Sequence, residues 1–156
     1  MKTLEKTKTR RTTTTTPAAT SQNLQQIIVN CILDKKGEQV VNMDLSNLDD
    51  AIADNFIICT ANSNTQVRAI ADEIAEKVQL QTGESSVRTE GTQTAEWILI
   101  DYFQVVVHVF KREIRDLYRL EELWADAAVA TEYLPDGSTQ PFMIVPQKSK
   151  PVFAFH

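Results

Sequence analysis

The chain has 156 residues, which fits one domain with modest tails, since a domain usually takes about 100–200 residues. Its 42% hydrophobic and 24% charged residues are ordinary for a globular protein and exclude collagen-like, wholly disordered and disulfide-dense classes. The net charge of -5 is unevenly distributed, because residues 1–20 carry five basic side chains against one acidic side chain. An acidic body binds phosphates poorly, so we expect a large partner to present a basic protein surface rather than bare nucleic acid.

Two further features bear on where the protein acts. No apolar run approaches the roughly 20 residues that a membrane-spanning helix needs, so no membrane segment is predicted. Cys31 and Cys59 both lie in apolar segments, which predicts buried, reduced thiols rather than a disulfide or a metal site. Reduced thiols are typical of the cytoplasm, and we expect the protein there.

Residues 1–20 are predicted to form an N-terminal arm. They are basic, rich in threonine and almost free of large apolar side chains, so they bury too little surface to offset the entropy lost on ordering. We predict that this arm is disordered. A basic, hydroxyl-rich and acid-poor leader is also typical of organellar transit peptides, and the sequence leaves that alternative open.

The next segment, up to residue 60, is predicted to form a helix and two strands. Ser21 is the predicted N-cap of the helix, and Gly37 ends it. The apolar stripe of this helix consists of Leu24, Ile27, Ile28, Cys31 and Ile32. Apolar and polar residues alternate over 41–45, which predicts a strand with one buried face. Residues 56–59 are continuously apolar, as in a central strand that is covered on both faces.

A second helix has unusually complete start and stop signals. Ser63 and Gln66 have the spacing of a capping box, and Gly83 follows the last turn. The strand before this helix and a short run after it, residues 86–89, would complete a crossover unit. We therefore predict that residues 86–89 pair parallel to residues 55–60 through a right-handed connection.

The rest of the chain is predicted to form a hairpin, a helix and an irregular extension. Residues 97–101 and 105–110 are β-like runs separated by a short turn, which is typical of an antiparallel hairpin. After Lys111 the apolar spacing becomes helical and continues to Ala127. Residues 131–156 contain four of the five prolines, which exclude a long helix or a central strand. The apolar side chains of this extension predict that it lies partly over the domain surface.

The order of these elements predicts a fold class and three regions. We expect an α/β domain at 21–130, in which helices flank a small mixed β-sheet. The disordered basic arm at 1–20 precedes this domain, and a proline-containing extension at 131–156 follows it.

The sequence offers no complete catalytic or cofactor site. Its four glycines cannot assemble a phosphate-binding loop, and its two histidines and two cysteines lack zinc-ligand spacing. A Ser63–Asp101–His108 triad is disfavoured, because Ser63 is explained as a helix cap and His108 lies in a valine-rich strand. Asp44 and Asp101 could form a two-metal pair, but neither has a second acid two residues away. We predict no catalytic residue, no metal and no cofactor.

The predicted hairpin carries a cluster of aromatic and acidic residues. Aromatic side chains in a turn are hard to bury, and exposed aromatics beside acids are typical anchors for a protein partner. The predicted partner-binding residues are Trp97, Asp101, Tyr102, Phe103, Glu90 and Glu96. Trp97 could instead be a core residue, and the residues alone leave that alternative open.

Several separate motifs, in order, resemble one known family. They are ADNFIICTANSNTQVRAIADEI at 53–74, EG and EWILIDY within 90–102, VVVHVF at 105–110 and REIRDLYRLEELWADA at 112–127. Together they are similar to the ribosomal silencing factor family, also called Iojap-like, over residues 21–130. The resemblance implies a nucleotidyltransferase-like α/β fold without catalytic residues. It also implies a factor that binds large-subunit ribosomal protein fourteen and blocks joining of the small subunit, which lowers translation when nutrients are scarce.

The resemblance also assigns individual residues. Trp97, Asp101 and Tyr102 match the family's E-W and D-Y motifs and are implied on the docking surface. Further matches, with roles that the resemblance does not fix, are Glu90, Gly91, His108, Arg115, Tyr118, Glu121 and Trp124. The chain departs from the family at Asn55, where tyrosine is common, and at Phe103, where glycine is common. The second departure puts a bulky residue in the turn beside the predicted interface.

Three functions are compatible with these observations. The resemblance favours a non-enzymatic cytoplasmic factor that contacts nucleic acid only incidentally, through ribosomal RNA. One alternative is a nucleotidyltransferase-like enzyme with a disguised acidic site around Asp44 and Asp101. The other is a homodimeric scaffold in which the hairpin patch pairs with itself.

Overall fold

A computed structural model describes residues 17–48, 51, 53–119 and 129–142. These residues form three helices and a seven-stranded sheet. The helices are α1 (Pro17–Asp34), α2 (Asn64–Thr82) and α3 (Arg112–Tyr118). The strands are β1 (Glu38–Asp44), β2 (Asn55–Ala61), β3 (Arg88–Glu90), β4 (Trp97–Asp101), β5 (Val105–Lys111), β6 (Val129–Tyr133) and β7 (Thr139–Pro141). The predicted α/β class with a mixed sheet is confirmed. No helix in these described ranges is long and apolar enough to cross a membrane.

The strands lie across the sheet in the order β3-β4-β5-β2-β1-β6-β7. The central neighbours β2 and β5 are parallel, and the other neighbouring pairs are antiparallel. The predicted β4–β5 hairpin is confirmed. The predicted parallel pairing of residues 86–89 with β2 is wrong, because β3 instead pairs antiparallel with β4 at one edge of the sheet. Burial explains the difference: β3 is exposed throughout, whereas β5 is apolar on both faces and suits the place beside β2.

Helix α1 begins earlier than the sequence predicted. Its first residue is Pro17, so the predicted cap Ser21 lies inside the helix, and the predicted arm at 1–20 overlaps the helix by four residues. Proline is tolerated in a first turn because the backbone N–H that it lacks would have no partner there. The predicted end is confirmed: the Gly37 N–H donates to the Ile32 carbonyl (2.8 Å). A Cβ on Gly37 would lie 2.4 Å from Cγ2 of Ile32, so this close approach requires glycine.

The predicted capping signals of α2 are confirmed. Oγ of Ser63 accepts a hydrogen bond from the backbone N–H of Gln66 (3.0 Å), and Oε1 of Gln66 accepts one from the backbone N–H of Asn62 (2.8 Å). Gly83 follows the helix with φ of 78°, a left-handed conformation that glycine adopts without strain. These caps fix both ends of the helix that connects β2 to the edge of the sheet.

The two faces of the sheet have separate cores. The face that packs against α1 and α2, here called the helical face, includes the buried residues Ile57, Ile100 and Val107. The opposite face, here called the α3 face, includes Phe56 and Ile58. The predicted burial of residues 56–59 on both faces is therefore confirmed.

Both cysteines are buried free thiols, as predicted. Burial raises the pKa of Cys31 to about 11 and that of Cys59 to about 12. Both side chains therefore stay protonated and unreactive.

Strand β1 is more deeply buried than its alternating pattern predicted. Residues 40–43 are all buried, because β1 lies between β2 and β6 and has helix α1 over one face. Its polar residue Asn42 bonds to Gln25 (2.7 Å) and accepts from Asn55 (2.9 Å), while Gln25 donates to Asn55 (3.0 Å). We call this closed ring of three side chains the amide ring. Because its amide is hydrogen-bonded in this ring, Asn42 can be buried on the strand face that the alternating pattern predicted to be exposed to solvent.

The C-terminal boundary predicted at residue 130 falls inside a strand. β6 spans Val129–Tyr133 and pairs with β1, and β7 pairs with β6, so part of the predicted extension belongs to the sheet. Pro141 lies in the edge strand β7, where a missing N–H is tolerated. The described part of the extension packs on the domain as predicted, with Phe142 against the α3-face core, and residues 143–156 lie outside the described residues.

The predicted helix after Lys111 is confirmed only for its first part. Helix α3 ends at Tyr118, where Arg119 takes a left-handed conformation with φ of 48°. The rest of the predicted helix, up to Ala127, lies outside the described residues.

Candidate docking surface

The register of the β4–β5 hairpin determines which of the predicted docking residues lie together. Trp97 pairs with Phe110 and Asp101 pairs with Val106, and both of these β5 residues belong to the α3-face core. Because side chains alternate along a strand, Trp97, Leu99 and Asp101 all point to the α3 face. Trp97 and Asp101 stand at opposite ends of β4, about 13 Å apart along the strand at the usual rise per residue.

The edge strand β3 extends this row of side chains. Arg88 pairs with Asp101 and Glu90 pairs with Leu99, so both charged residues point to the α3 face. We call these residues the edge patch; they are Trp97, Leu99, Asp101, Arg88 and Glu90. The structure therefore brings together three of the predicted docking residues in one patch on a sheet edge.

Trp97 is half-buried in an aromatic cluster. Its ring stacks on that of Phe110 with centroids 4.7 Å apart, and it lies 5.2 Å from the ring of Tyr118. The indole Nε1–H donates a 3.1 Å hydrogen bond to Nδ1 of His108. Trp97 thus packs on the core and still leaves part of its surface accessible to a partner.

His108 supports Trp97 from beneath the surface. Its side chain is 4% exposed and meets the ring of Phe56 edge-on, with centroids 4.9 Å apart. Burial lowers the pKa of His108 to about 3, so the imidazole is neutral. Because Nδ1 accepts from Trp97, the ring proton is on Nε2, which has no hydrogen-bond partner in the part of the chain that the structure describes.

Tyr102 is where the structure departs from the predicted docking surface. Its side chain is 5% exposed and belongs to the helical-face core, on the side opposite Trp97 and Asp101. The reason is alternation, since Tyr102 directly follows Asp101 and so points the other way. Burial raises the pKa of Tyr102 to about 12. The prediction that this ring is hard to bury is wrong.

Phe103 lies at the tip of the hairpin and is 74% exposed, as predicted. Its backbone has φ of 74°, which is unusual for a residue with a side chain. The Gln104 N–H donates to the Tyr102 carbonyl (2.9 Å), and this bond closes a three-residue γ-turn around Phe103. The turn holds a large apolar ring out toward solvent.

Asp101 has a different contact at each carboxylate oxygen. Oδ1 accepts from the Phe103 N–H (2.7 Å), and Oδ2 lies 3.8 Å from a guanidinium nitrogen of Arg88. The same guanidinium lies 3.2 Å from the carboxylate of Glu90. Arg88 and Glu90 are both more than half exposed, and exposed ion pairs of this kind contribute little stability. Glu90 is therefore an accessible negative charge for a basic partner, and Asp101 adds a less exposed one.

Glu96 is exposed as predicted and adjoins Trp97 of the edge patch without belonging to the patch. It precedes β4, and its backbone carbonyl accepts a 2.8 Å hydrogen bond from the Lys111 N–H. It is seven residues from Phe103 in the chain, at the opposite end of β4 from the hairpin tip.

The remaining residues of the family motifs lie in or beyond α3. Arg115 is 5% exposed and donates to the Gln39 carbonyl (2.6 Å) and to Oγ1 of Thr60 (2.9 Å), which anchors α3 to the sheet. Tyr118 packs beside Trp97. Glu121 and Trp124 lie outside the described residues.

The two catalytic alternatives do not assemble. Asp44 pairs with Asn55 and so points to the helical face, whereas Asp101 points to the α3 face. Ser63 caps α2, which covers the helical face, while His108 is buried on the other face. Within the described ranges, no three acidic, histidine or cysteine side chains are grouped as metal ligands.

Sequence reasoning missed two members of the edge patch. Leu99 is a partly buried residue of β4, and its position two residues from both Trp97 and Asp101 was a usable signal, because such residues share a strand face. Arg88 could not be found in this way, since its place depends on the pairing of β3 with β4, which the sequence analysis assigned wrongly.

Comparisons with known proteins agree on one family. The family model "Ribosomal silencing factor during starvation" matches residues 18–150, which is more of the chain than the predicted 21–130. The ribosomal silencing factor RsfS of Halalkalibacterium halodurans is 48% identical over 107 residues, covering 69% of this chain and 90% of the relative.

One solved structure and one more distant relative add to this result. A crystal structure of a Chromobacterium violaceum protein is 29% identical, covers 81% of this chain and 95% of its own, and superposes with a TM-score of 0.62. The mouse protein "Mitochondrial assembly of ribosomal large subunit protein 1" is 27% identical over 92 residues, covering 53% of this chain and 40% of the relative. By the family match and the RsfS relative, the chain belongs to the ribosomal silencing factor family.

Proposed function

We propose that this protein binds the large ribosomal subunit through large-subunit ribosomal protein fourteen and blocks joining of the small subunit. Such an effect needs binding alone, because a protein seated on the joining face excludes the intersubunit contact by its volume. On this proposal the protein is a cytoplasmic translation repressor and not an enzyme, and it meets nucleic acid only incidentally, through ribosomal RNA.

Family membership is the observation that carries this proposal. The match to the ribosomal silencing factor model extends over residues 18–150 and includes the β4–β5 hairpin as well as β6 and β7. The name of the mouse relative connects that protein to the large ribosomal subunit. The first observation favours the ribosome as the partner, and the second favours its large subunit.

The edge patch and Phe103 have the chemistry of a docking surface. Trp97, Leu99 and Phe103 offer apolar area, and Asp101 and Glu90 offer negative charge beside it. Aromatic anchors bounded by charged residues are typical of interfaces in which a few residues supply most of the binding energy. A basic protein surface with an apolar depression is the complement that this arrangement fits.

The test measures binding of charge variants to purified large subunits in sedimentation experiments. Glu90→Lys reverses an exposed charge within the edge patch, and Glu76→Lys reverses an exposed charge on α2, which covers the other face of the sheet. We expect wild type and Glu76→Lys to sediment with the large subunit and Glu90→Lys to bind more weakly, with the difference shrinking at high salt.

Two results would contradict the proposal. Failure of the wild-type protein to sediment with the large subunit would show that the large subunit is not its partner. Equal binding by both charge variants would show that the edge patch is not the docking surface. Sedimentation of the protein alone measures any self-association, so pairing of two copies through the patch is detected separately.

A further inference from the structure

The turn around Phe103 is held by more bonds than a hairpin of this length requires. The Tyr102 N–H donates to the Val105 carbonyl (2.9 Å), in addition to the γ-turn bond between Gln104 and Tyr102. The Gln104 carbonyl accepts from the backbone N–H groups of Asp54 (2.8 Å) and Asn55 (3.1 Å). The tip is therefore tied to the start of β2 as well as to its own strands.

Asn55 connects the hairpin tip to the core. The side chain of Asn55 belongs to the buried amide ring, in which it accepts from Gln25 and donates to Asn42. An ordered base of this kind fixes the direction in which Phe103 projects. Fixing a side chain before binding reduces the entropy that is lost when the complex forms.

Phe103 is the residue that this arrangement displays. Among the described residues, the large apolar side chains with high exposure are Leu80, Val87, Phe103, Leu117 and Val129, and Phe103 is the only aromatic one and the most exposed. Its φ of 74° is disfavoured for a residue with a Cβ, so the backbone carries strain at this position. Strain and an exposed ring at one ordered position point to recognition rather than to stability.

We propose that Phe103 is the apolar anchor that determines which partner surface the chain binds, and that Asp101 is a positioning residue that acts through the Phe103 turn. This inference rests on the proposed function, because it assumes docking on the large subunit. The partner site that fits is an apolar pocket on a protein surface, bordered by basic side chains.

The two carboxylate oxygens of Asp101 have different contacts, so its effect on the Phe103 turn can be tested separately from its charge. Oδ1 accepts the Phe103 N–H at 2.7 Å, whereas Oδ2 faces Arg88 at 3.8 Å. Asparagine in place of Asp101 keeps an oxygen that can accept the Phe103 N–H but removes the charge. Alanine removes both. Charge contacts at a rim change mainly the association rate and the salt dependence, whereas loss of the turn bond releases the anchor.

The first experiment measures the affinity of the full chain for purified large subunits after changes at Phe103. Phe103→Ala is expected to bind about 30-fold more weakly, as is usual for an anchor, whereas Phe103→Leu keeps an apolar anchor and most of the affinity. Leu80→Ala is the matched control, because Leu80 is 70% exposed and lies on α2. We expect its affinity to equal that of wild type. Thermal unfolding of each variant verifies that the fold is kept.

The second experiment is a double-mutant cycle between Asp101 and Phe103. Asp101→Ala should weaken binding about tenfold, and Asp101→Asn should restore affinity to within about threefold of wild type while reducing its salt dependence. In the Phe103→Ala background, Asp101→Ala should weaken binding by no more than the roughly threefold that the charge loss in Asp101→Asn causes, because its positioning effect acts only through the anchor. A merely structural role would leave the two effects additive.

The outcomes distinguish this inference from the proposed function. If the wild type does not bind the large subunit, both the inference and the proposed function are wrong. If the wild type binds and Phe103→Ala binds equally well, the inference is wrong and the proposed function stands. Equal weakening by Leu80→Ala, or additive effects of Asp101→Ala and Phe103→Ala, would also overturn the inference.

Discussion

At the scale of single residues, the hydrogen bond from Trp97 to His108 links the edge patch to the core. The indole Nε1–H reaches Nδ1 of a histidine that is 4% exposed, so the bond is shielded from water on the histidine side. A buried acceptor that loses its donor leaves an unsatisfied polar atom, which costs about 1–3 kcal/mol. Trp97 therefore has two separable properties, the accessible part of its ring and its N–H.

Replacing Trp97 by phenylalanine tests the structural property. The variant keeps an aromatic ring against Phe110 but removes the Nε1–H, so we expect the free energy of unfolding to fall by about 1–3 kcal/mol. Urea denaturation measures this change. A variant as stable as wild type would show that His108 does not depend on this donor. If stability falls as expected, a Trp97→Glu variant would lose stability as well as docking, so its binding defect alone could not assign Trp97 to the docking surface.

The buried imidazole also predicts how stability depends on pH. The pKa of His108 is lowered by burial from 6.5 to about 3, so the unfolded chain binds a proton in this range that the folded chain does not. The stabilisation is fully present above pH 6.5 and is lost as pH falls toward 3, by up to about 1.4 kcal/mol per pH unit.

The measurement is the free energy of unfolding in urea at pH values from 7 to 5, for wild type and for His108→Gln. Wild type should lose stability across this window, whereas the variant should have a flatter profile because it lacks the titrating group. The chain's other histidine is His156, in the C-terminal segment, and it is present in both proteins. Parallel profiles would contradict the buried neutral histidine.

At the scale of elements, the amide ring connects α1, β1 and β2. Gln25, Asn42 and Asn55 each donate to one neighbour and accept from the other, with distances of 2.7–3.0 Å. A fully satisfied buried network stabilises one arrangement of its elements, whereas a partly satisfied one is costly. The ring also lies beneath the backbone bond from Asn55 to Gln104 that holds the hairpin tip.

Replacing Gln25 by leucine tests the ring. The change leaves Asn42 and Asn55 each with one unpaired amide atom, so we expect a loss of about 2 kcal/mol in the free energy of unfolding. Gln26→Ala is the control, because Gln26 is exposed and its amide donates to the nearby helical residue Asn30. Chemical denaturation compares the two. Equal stability of both variants would show that the ring contributes nothing.

Local signals made several elements predictable. The capping box at Ser63 and the left-handed Gly83 are short-range features, and the structure places α2 between them. The continuous apolar run of β2 and the β4–β5 hairpin were equally clear, because both follow from the pattern of nearby residues.

Features that depend on distant pairing were not predictable. β3 has three exposed residues, and nothing in them distinguishes an antiparallel edge from a parallel partner of β2. β6 was hidden because its burial comes from β1, which is more than eighty residues away in the sequence. At the site, strand alternation could have shown that Tyr102 and Asp101 point to opposite faces of the sheet. The sequence analysis instead predicted that Tyr102 and Phe103 are both exposed, because both lie in a turn.

At the scale of the whole molecule, the basic charge at the N-terminus opposes an acidic remainder. Residues 1–16 contain five basic side chains and one acidic side chain, in a chain of net charge -5. Deleting residues 1–16 removes this charge and leaves α1 intact, since the helix begins at Pro17. We expect unchanged stability and a loss of affinity for the large subunit that is present at low salt and nearly absent at high salt.

Sedimentation with large subunits at two salt concentrations measures this effect. A weak, salt-sensitive contribution is what a basic segment makes when it contacts ribosomal RNA without sequence preference. Loss of binding at every salt concentration would instead assign a specific contact to these residues. The circular dichroism spectrum of the truncated protein verifies that its helices are kept.

The central claim is that the protein prevents subunit joining by occupying the large subunit. Its most direct measurement is the fraction of joined ribosomes formed from purified subunits, followed by light scattering, as the protein is added to the large subunit before the small one. We predict that joined ribosomes decrease in proportion to the large subunits that carry the protein, and that Glu90→Lys restores joining where Glu76→Lys does not. Particles that contain both subunits and the bound protein at full occupancy would contradict the claim.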